Sequence, residues 1–217
     1  MDPRTNRRLT LFFEQYKLSI YKKGELIYRP GDAFSYISYI KSGYVRMYAI
    51  SKEGEEKTIH IFKPVFYFSL TYAITDIENK YYFEAITPVE LWRAPKEEVL
   101  AFIKSDPVTL FEITKNILSG FREILTNIEY LISGSASTKV ASILLSLVDR
   151  FGKKQGGQII LDVATTHRII ASLTGLTRET TSIQMEKLQK KGIITRHGNH
   201  LVIRDLQKMK EESSAGD

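Results

Sequence analysis

The residues best equipped for chemistry in this chain are Thr177, Arg178, Glu179, Thr181 and Ser182, gathered in the stretch "LTGLTRETTSIQMEKL" from Leu173 to Leu188. Threonine and serine are weak helix formers, yet the second half of the stretch has a helical pattern. Hydroxyls and one Arg-Glu pair at the front of a helix suit a particular task. A guanidinium can fork onto guanine or a phosphate, and a carboxylate can accept from a cytosine amino group. Short hydroxyls reach phosphates or bases while keeping the helix close. The pattern implies a helix whose first turns lie in the major groove of double-stranded DNA.

Such a helix needs a frame, and the surrounding sequence supplies one. Thr165 or Thr166 caps a first helix over His167–Leu173, "TGLT" makes the turn, and Ala171 and Gly175 give the small residues that a tight crossing needs. Thr177 caps the second helix and Gly192 stops it. Leu176, Ile183, Leu188, Ile193 and Ile194 are expected to anchor its back, and "IITRHGNHLVIR" reads as a two-stranded wing turning at residues 197–199. Between Lys139 and Arg204 there are 11 Lys and Arg against 4 Asp and Glu, a local excess of +7 within a chain of net charge +6. That is where a polyanion would be met. Beside the five residues above, the expected DNA contacts are Thr166, Lys190, Arg196 and His197, with Lys139, Lys187 and Lys191 near phosphates.

Upstream, "SDP" at Ser105–Pro107 is a helix start, with proline where its missing N–H costs nothing. Leu110, Ile117, Phe121, Ile124, Ile128 and Leu131, with Thr114 in one gap, form a heptad seam, and Phe111, Leu118, Leu125 and Ile132 repeat every seven residues beside it. One line is expected to pack on the chain's own sheet and the other to join a second copy in a homodimer. From Pro107 to Ile132 the helix spans roughly 40 Å at about 1.5 Å per residue. "SGSAS" (Ser133–Ser137) reads as a hinge, "TKVASILLSLVDRFG" as an amphipathic helix stopped by Gly152, "QIILDV" (Gln158–Val163) as a strand, and "KEESSAGD" as a frayed tail. Before Ser105 the chain reads as short strands to about Ala94, including "VFYFSLTYAI", and then a helix in "KEEVLAFIKS". The expected domains are 1–106, 107–134 and 135–217.

With no cysteine, disulfides, thiolate zinc sites and cysteine-ligated clusters are excluded. The absence of a signal-peptide pattern or a membrane-length apolar run leads to the expectation of a cytoplasmic protein without membrane contact. A metalloenzyme on a β-roll would gather two or three histidines with a carboxylate, and only His60 precedes residue 167. No enzyme activity and no cofactor are expected.

In "LTRETTS", in the wing "ITRHGNHLVI" and in the order of roll, long helix, hinge and winged helix, the chain resembles the CRP/FNR superfamily of bacterial transcription regulators over nearly its whole length. The resemblance implies an α+β chain: an N-terminal antiparallel β-roll (a double-stranded β-helix, jelly-roll-like), a long central dimerisation helix and a C-terminal winged helix-turn-helix. It implies that Arg178 and Glu179 read a near-palindromic operator, and that RNA polymerase is a partner. The chain departs from the family in places. Ile183 stands four residues after Glu179, where many members carry a further arginine. Phe68-Ser69 and about Asn79-Lys80 replace the Gly-Glu and Arg-Ser pairs of the cyclic-nucleotide pocket, and Ile124 and Leu125 replace its helix hydroxyls. A cyclic phosphate would lack its bidentate arginine, so control by cyclic AMP is not expected. Phe68, Ser69, Tyr81 and Tyr82 remain weak candidates for an effector contact within an aromatic set that includes Phe66, Tyr67 and Tyr72, and such rings equally make a plain core. A regulator responding to a cyclic nucleotide or, through His60, to haem is the alternative.

Overall fold

The structure, a computed structural model, describes residues 2–163, 165–198 and 200–214; at 123, 127, 130, 131 and 133 it describes the backbone alone. The chain divides into two compact units, the first ending at Phe121 and the second beginning at Arg122.

The first unit opens with α1 (Pro3–Phe13), which the expectation of strands alone had missed. Asp2 accepts hydrogen bonds from the backbone N–H groups of Arg4 and Thr5, and Pro3 occupies the first helical position. Eight strands follow: β1 (Lys17–Tyr21), β2 (Leu26–Tyr28), β3 (Tyr36–Ser42), β4 (Val45–Ile50), β5 (Glu56–Phe62), β6 (Phe66–Phe68), β7 (Tyr82–Ala85) and β8 (Val89–Pro95). They form two four-stranded antiparallel sheets, ordered β1-β8-β3-β6 and β2-β7-β4-β5. The stretch expected to be strand throughout changes after Phe68 into α2 (Leu70–Thr75), entered and left through positive φ at Ser69 and Asp76. α3 (Lys96–Ser105) closes the roll.

Strand alternation sends neighbouring residues to two cores. Ile40, Phe68, Phe83 and Leu91 pack with Tyr28 and Phe34 between the sheets, whereas Tyr39 and Trp92 join Leu9, Phe13, Val99 and Ile103 on the other face. Arg46, almost fully buried, is held by Glu56 at 2.7 Å and Glu84 at 2.6 Å.

α4 (Pro107–Ser133) runs across the division. Asp106 caps it by accepting from Val108 N, Thr109 N and the Thr109 hydroxyl. Its faces differ from expectation. The described members of both apolar lines are uncovered: Leu110, Ile117, Phe121, Ile124 and Ile128 stand exposed, and so do Phe111, Leu118, Leu125 and Ile132. Ile113, 2% exposed, joins the core instead, beside buried Thr109. The side chain of Leu131 lies outside the described residues.

In the second unit α5 (Ala136–Phe151) is the hub, with both sides buried. Ser135 caps it by accepting from Thr138 N, so the interruption after α4 is shorter than the five residues expected to hinge. Gly152 ends α5 with φ −73 and starts β9 (Gly152–Gln155), a strand unseen in the sequence. It is needed for space: a Cβ there would lie 2.4 Å from the Val148 carbonyl oxygen. β10 (Gln158–Leu161), α6 (His167–Thr174), α7 (Arg178–Lys190), β11 (Ile194–His197) and β12 (His200–Ile203) follow, with sheet order β11-β12-β10-β9. Of the expected frayed tail, residues 210–214 instead continue α8 (Leu206–Ser214), whose Met209 is fully buried. No helix among the described residues is long and apolar enough to cross a membrane.

Candidate nucleic-acid interface

Thr166 caps α6 by accepting from Ile169 N, and Thr177 caps α7 by accepting from Thr180 N at 3.1 Å. Gly175 ends α6 at φ +70, in the left-handed region that glycine enters without penalty. Gly192 ends α7 in the same way, with Ile193 N reaching back to the Leu188 carbonyl. These caps fix where α7 begins and how it turns its faces.

One row of α7 faces inward: Thr181, Met185 and Leu188, spaced at four and three, are all buried. Thr181, expected at the DNA, is instead 0% exposed, its hydroxyl oxygen buried without a hydrogen-bond partner among the described residues. Ile183 corrects the opposite expectation. Rather than anchoring the back, it is 53% exposed, lying on the other side from Thr181, and Met185 takes the anchoring place. The exposed side carries Arg178, Glu179, Ile183, Glu186 and Lys190. Glu179 lies in the first turn, where the helix dipole favours a carboxylate.

Ser182 is half-buried, and its hydroxyl meets His167 Nδ1 at 2.6 Å, tying α7 to α6. Burial, then the positive charges of Arg196 and Arg178, hold the His167 imidazole below its ordinary value. Arg196 donates to the Thr165 carbonyl at 2.7 Å, bracing the wing against the start of α6. His197 is exposed at the end of β11. The expected contacts therefore divide. Arg178, Glu179, Lys190 and His197 are presented outward; Thr166, Thr177, Ser182 and Arg196 have structural partners; Thr181 is interior. The contact between His167 and Ser182 was not foreseen, because its two ends lie on different helices.

In the roll, Phe68 is buried and stacks on Phe83 with centroids 5.3 Å apart. Ser69 is buried and donates to the Tyr36 carbonyl, and Tyr82 stacks on Tyr48. Asn79, 2% exposed, donates its amide N–H groups to the carbonyls of Arg29 and Tyr81 and accepts from Tyr81 N. A surface cleft of about 430 Å³ borders Phe34, Tyr72, Asp76, Asn79 and Lys96, but none of Phe68, Ser69, Tyr81 and Tyr82 lines it. His60 lies on β5 with its ring 4.6 Å from that of Phe62. Among the described residues no cluster of three or more His, Cys, Asp or Glu could hold a metal ion.

A double-sheeted antiparallel roll, a long helix and a winged helix-turn-helix make up the architecture of a DNA-binding transcription regulator. Comparison with known proteins gives the family. Residues 18–106 match the cyclic nucleotide-binding domain and residues 138–212 the Crp-like helix-turn-helix domain. The Global nitrogen regulator of Nostoc sp. (strain PCC 7120) is 25% identical over 185 residues, covering 84% of this chain and 83% of that protein. The transcriptional regulator SdrP of Thermus thermophilus is 26% identical over 194 residues, covering 88% and 91%. A crystal structure of a CRP/FNR-family transcriptional regulator from Thermus thermophilus shares the fold with a TM-score of 0.73 at 24% identity, covering 93% of this chain and 100% of that one. The chain belongs to the CRP/FNR family of transcription regulators.

Proposed function

We propose that the protein acts in the cytoplasm as a homodimeric, sequence-specific regulator, two copies joining along α4 and each setting α7 into the major groove of one half of a near-palindromic operator. The observation that carries this reading is the two-sidedness of α7: one row is buried in its unit, and Arg178 and Glu179 stand exposed just beyond the Thr177 cap. Arg178 then pairs with guanine or a phosphate and Glu179 with a cytosine amino group, while Lys190 and His197 neutralise phosphates. The two exposed apolar lines of α4 support pairing with a second copy, since a contiguous apolar surface of this kind marks an interface. Half-sites follow at about 34 Å, one helical turn. RNA polymerase is the partner through which a bound dimer would act.

The domain that matches the cyclic nucleotide-binding family does not suit cyclic AMP. Asn79 stands about where the resemblance places the family's arginine and spends its amide on the Arg29 and Tyr81 backbone, so it offers a cyclic phosphate no bidentate guanidinium. Selection of bound DNA from a random duplex pool by the purified protein, without added ligand, tests the reading. A symmetric motif is expected, with an affinity that cyclic AMP and cyclic GMP leave unchanged. Recovery of no motif would overturn it.

A further inference from the structure

We infer that Ile183 is a specificity-determining residue that reads a thymine in each half-site through its 5-methyl group. This rests on the proposed placement of α7 in the major groove. Every other large aliphatic side chain of α7 is buried, yet Ile183 is 53% exposed in the row that begins at Glu179 and continues through Glu186 to Lys190. Four residues after Glu179, it lies about 6 Å further along the axis at about 1.5 Å per residue. That rise puts it over a base pair near the one that Glu179 meets.

The chemistry of the groove leaves an isoleucine one complementary feature. Guanine and adenine present acceptors or an amino group, cytosine presents an amino donor, and all of these lose hydration against a hydrocarbon without gaining a hydrogen bond. Thymine alone offers a methyl group at the groove edge. In a helix a β-branched side chain is held almost wholly in one χ1 rotamer, so Ile183 meets that methyl with little ordering cost. An arginine at this position would select guanine; isoleucine turns the preference towards thymine.

The experiment uses the full-length protein and the operator selected from the random pool. Each thymine of a half-site is replaced in turn by deoxyuridine, which removes the methyl group and keeps every hydrogen-bonding edge. At one position the wild-type Kd is expected to rise roughly three- to fivefold, the value of one buried methyl group. Ile183→Ala should bind the thymine and deoxyuridine duplexes equally at that position, and Ile183→Val should keep part of the discrimination. Because the side chain is exposed, both variants should show the wild-type circular dichroism spectrum. If the protein selects a motif and Glu179→Ala alters it, but no deoxyuridine substitution weakens binding, the assignment of Ile183 is overturned while the proposed function stands. Discrimination that persists in Ile183→Ala overturns it equally. Failure to select any motif removes the proposed function and this inference together.

Discussion

At the scale of single residues, Glu179 and His167 carry separable roles. Glu179 is exposed at the start of α7, so Glu179→Ala should leave the fold unchanged and flatten base preference at one position, at about 1–3 kcal/mol of lost discrimination. Competition between operator variants measures it. His167 acts inside the unit. Burial, Arg196 and Arg178 hold its folded-state value below the ordinary 6.5, so the unfolded chain takes up a proton at a pH where the folded chain still resists it. The stability it contributes is complete above the ordinary value and is lost as pH falls through the folded one. Thermal melts from neutral to acid pH should therefore show a steeper fall for wild type than for His167→Gln. Equal slopes would mean that the imidazole is not held neutral.

At the scale of elements, glycines act for different reasons. Gly175 requires only its positive φ, since a Cβ there meets nothing within 4 Å. Gly175→Ala should cost about 1–2 kcal/mol, the penalty of a left-handed backbone. Gly152→Ala should cost more, because its Cβ would collide with the Val148 carbonyl and with Ile159. Chemical denaturation orders the two. The helix α4 is tested differently. Phe121 is 58% exposed in the single chain, so Phe121→Glu should leave secondary structure intact yet weaken self-association at least about tenfold, given about 1.5–3 kcal/mol for burying a large apolar side chain. Sedimentation against concentration reads the change, and an unaltered dimer would remove Phe121 from the interface.

For the whole molecule the governing quantity is charge set against a polyanion. The excess of +7 between Lys139 and Arg204 lies in the same stretch as α6, α7 and the wing. Binding should fall steeply with salt, and Lys190→Ala should reduce the slope of log affinity against log salt by about 0.9 for each phosphate contact removed. Affinity should drop similarly on every duplex, in contrast to Glu179→Ala, whose effect depends on sequence. An unaltered slope would take Lys190 off the phosphate contacts.

The sequence by itself determined the elements whose signals are local. Thr166, Thr177 and Ser135 cap where hydroxyls before helices should, Gly175 and Gly192 stop them, and the strands of the roll follow their aromatic and β-branched runs. Caps and turns are settled by atoms a few residues apart, so a linear reading finds them. Which face of each helix turns inward was decided only by the tertiary structure. On α7 the inward row begins with Thr181, buried hydroxyl included, and Ile183 is left outside although it is the more hydrophobic. On α4 the same happens with Thr109 beside Ile113, and the described members of both heptad lines are left exposed. Asn79, a polar residue whose amide ties two backbone segments together, likewise has its meaning set by Arg29, fifty residues away. Hydrophobicity along a chain ranks what a residue would gain by burial, but the shape of the surface that packs against it decides which residue is buried.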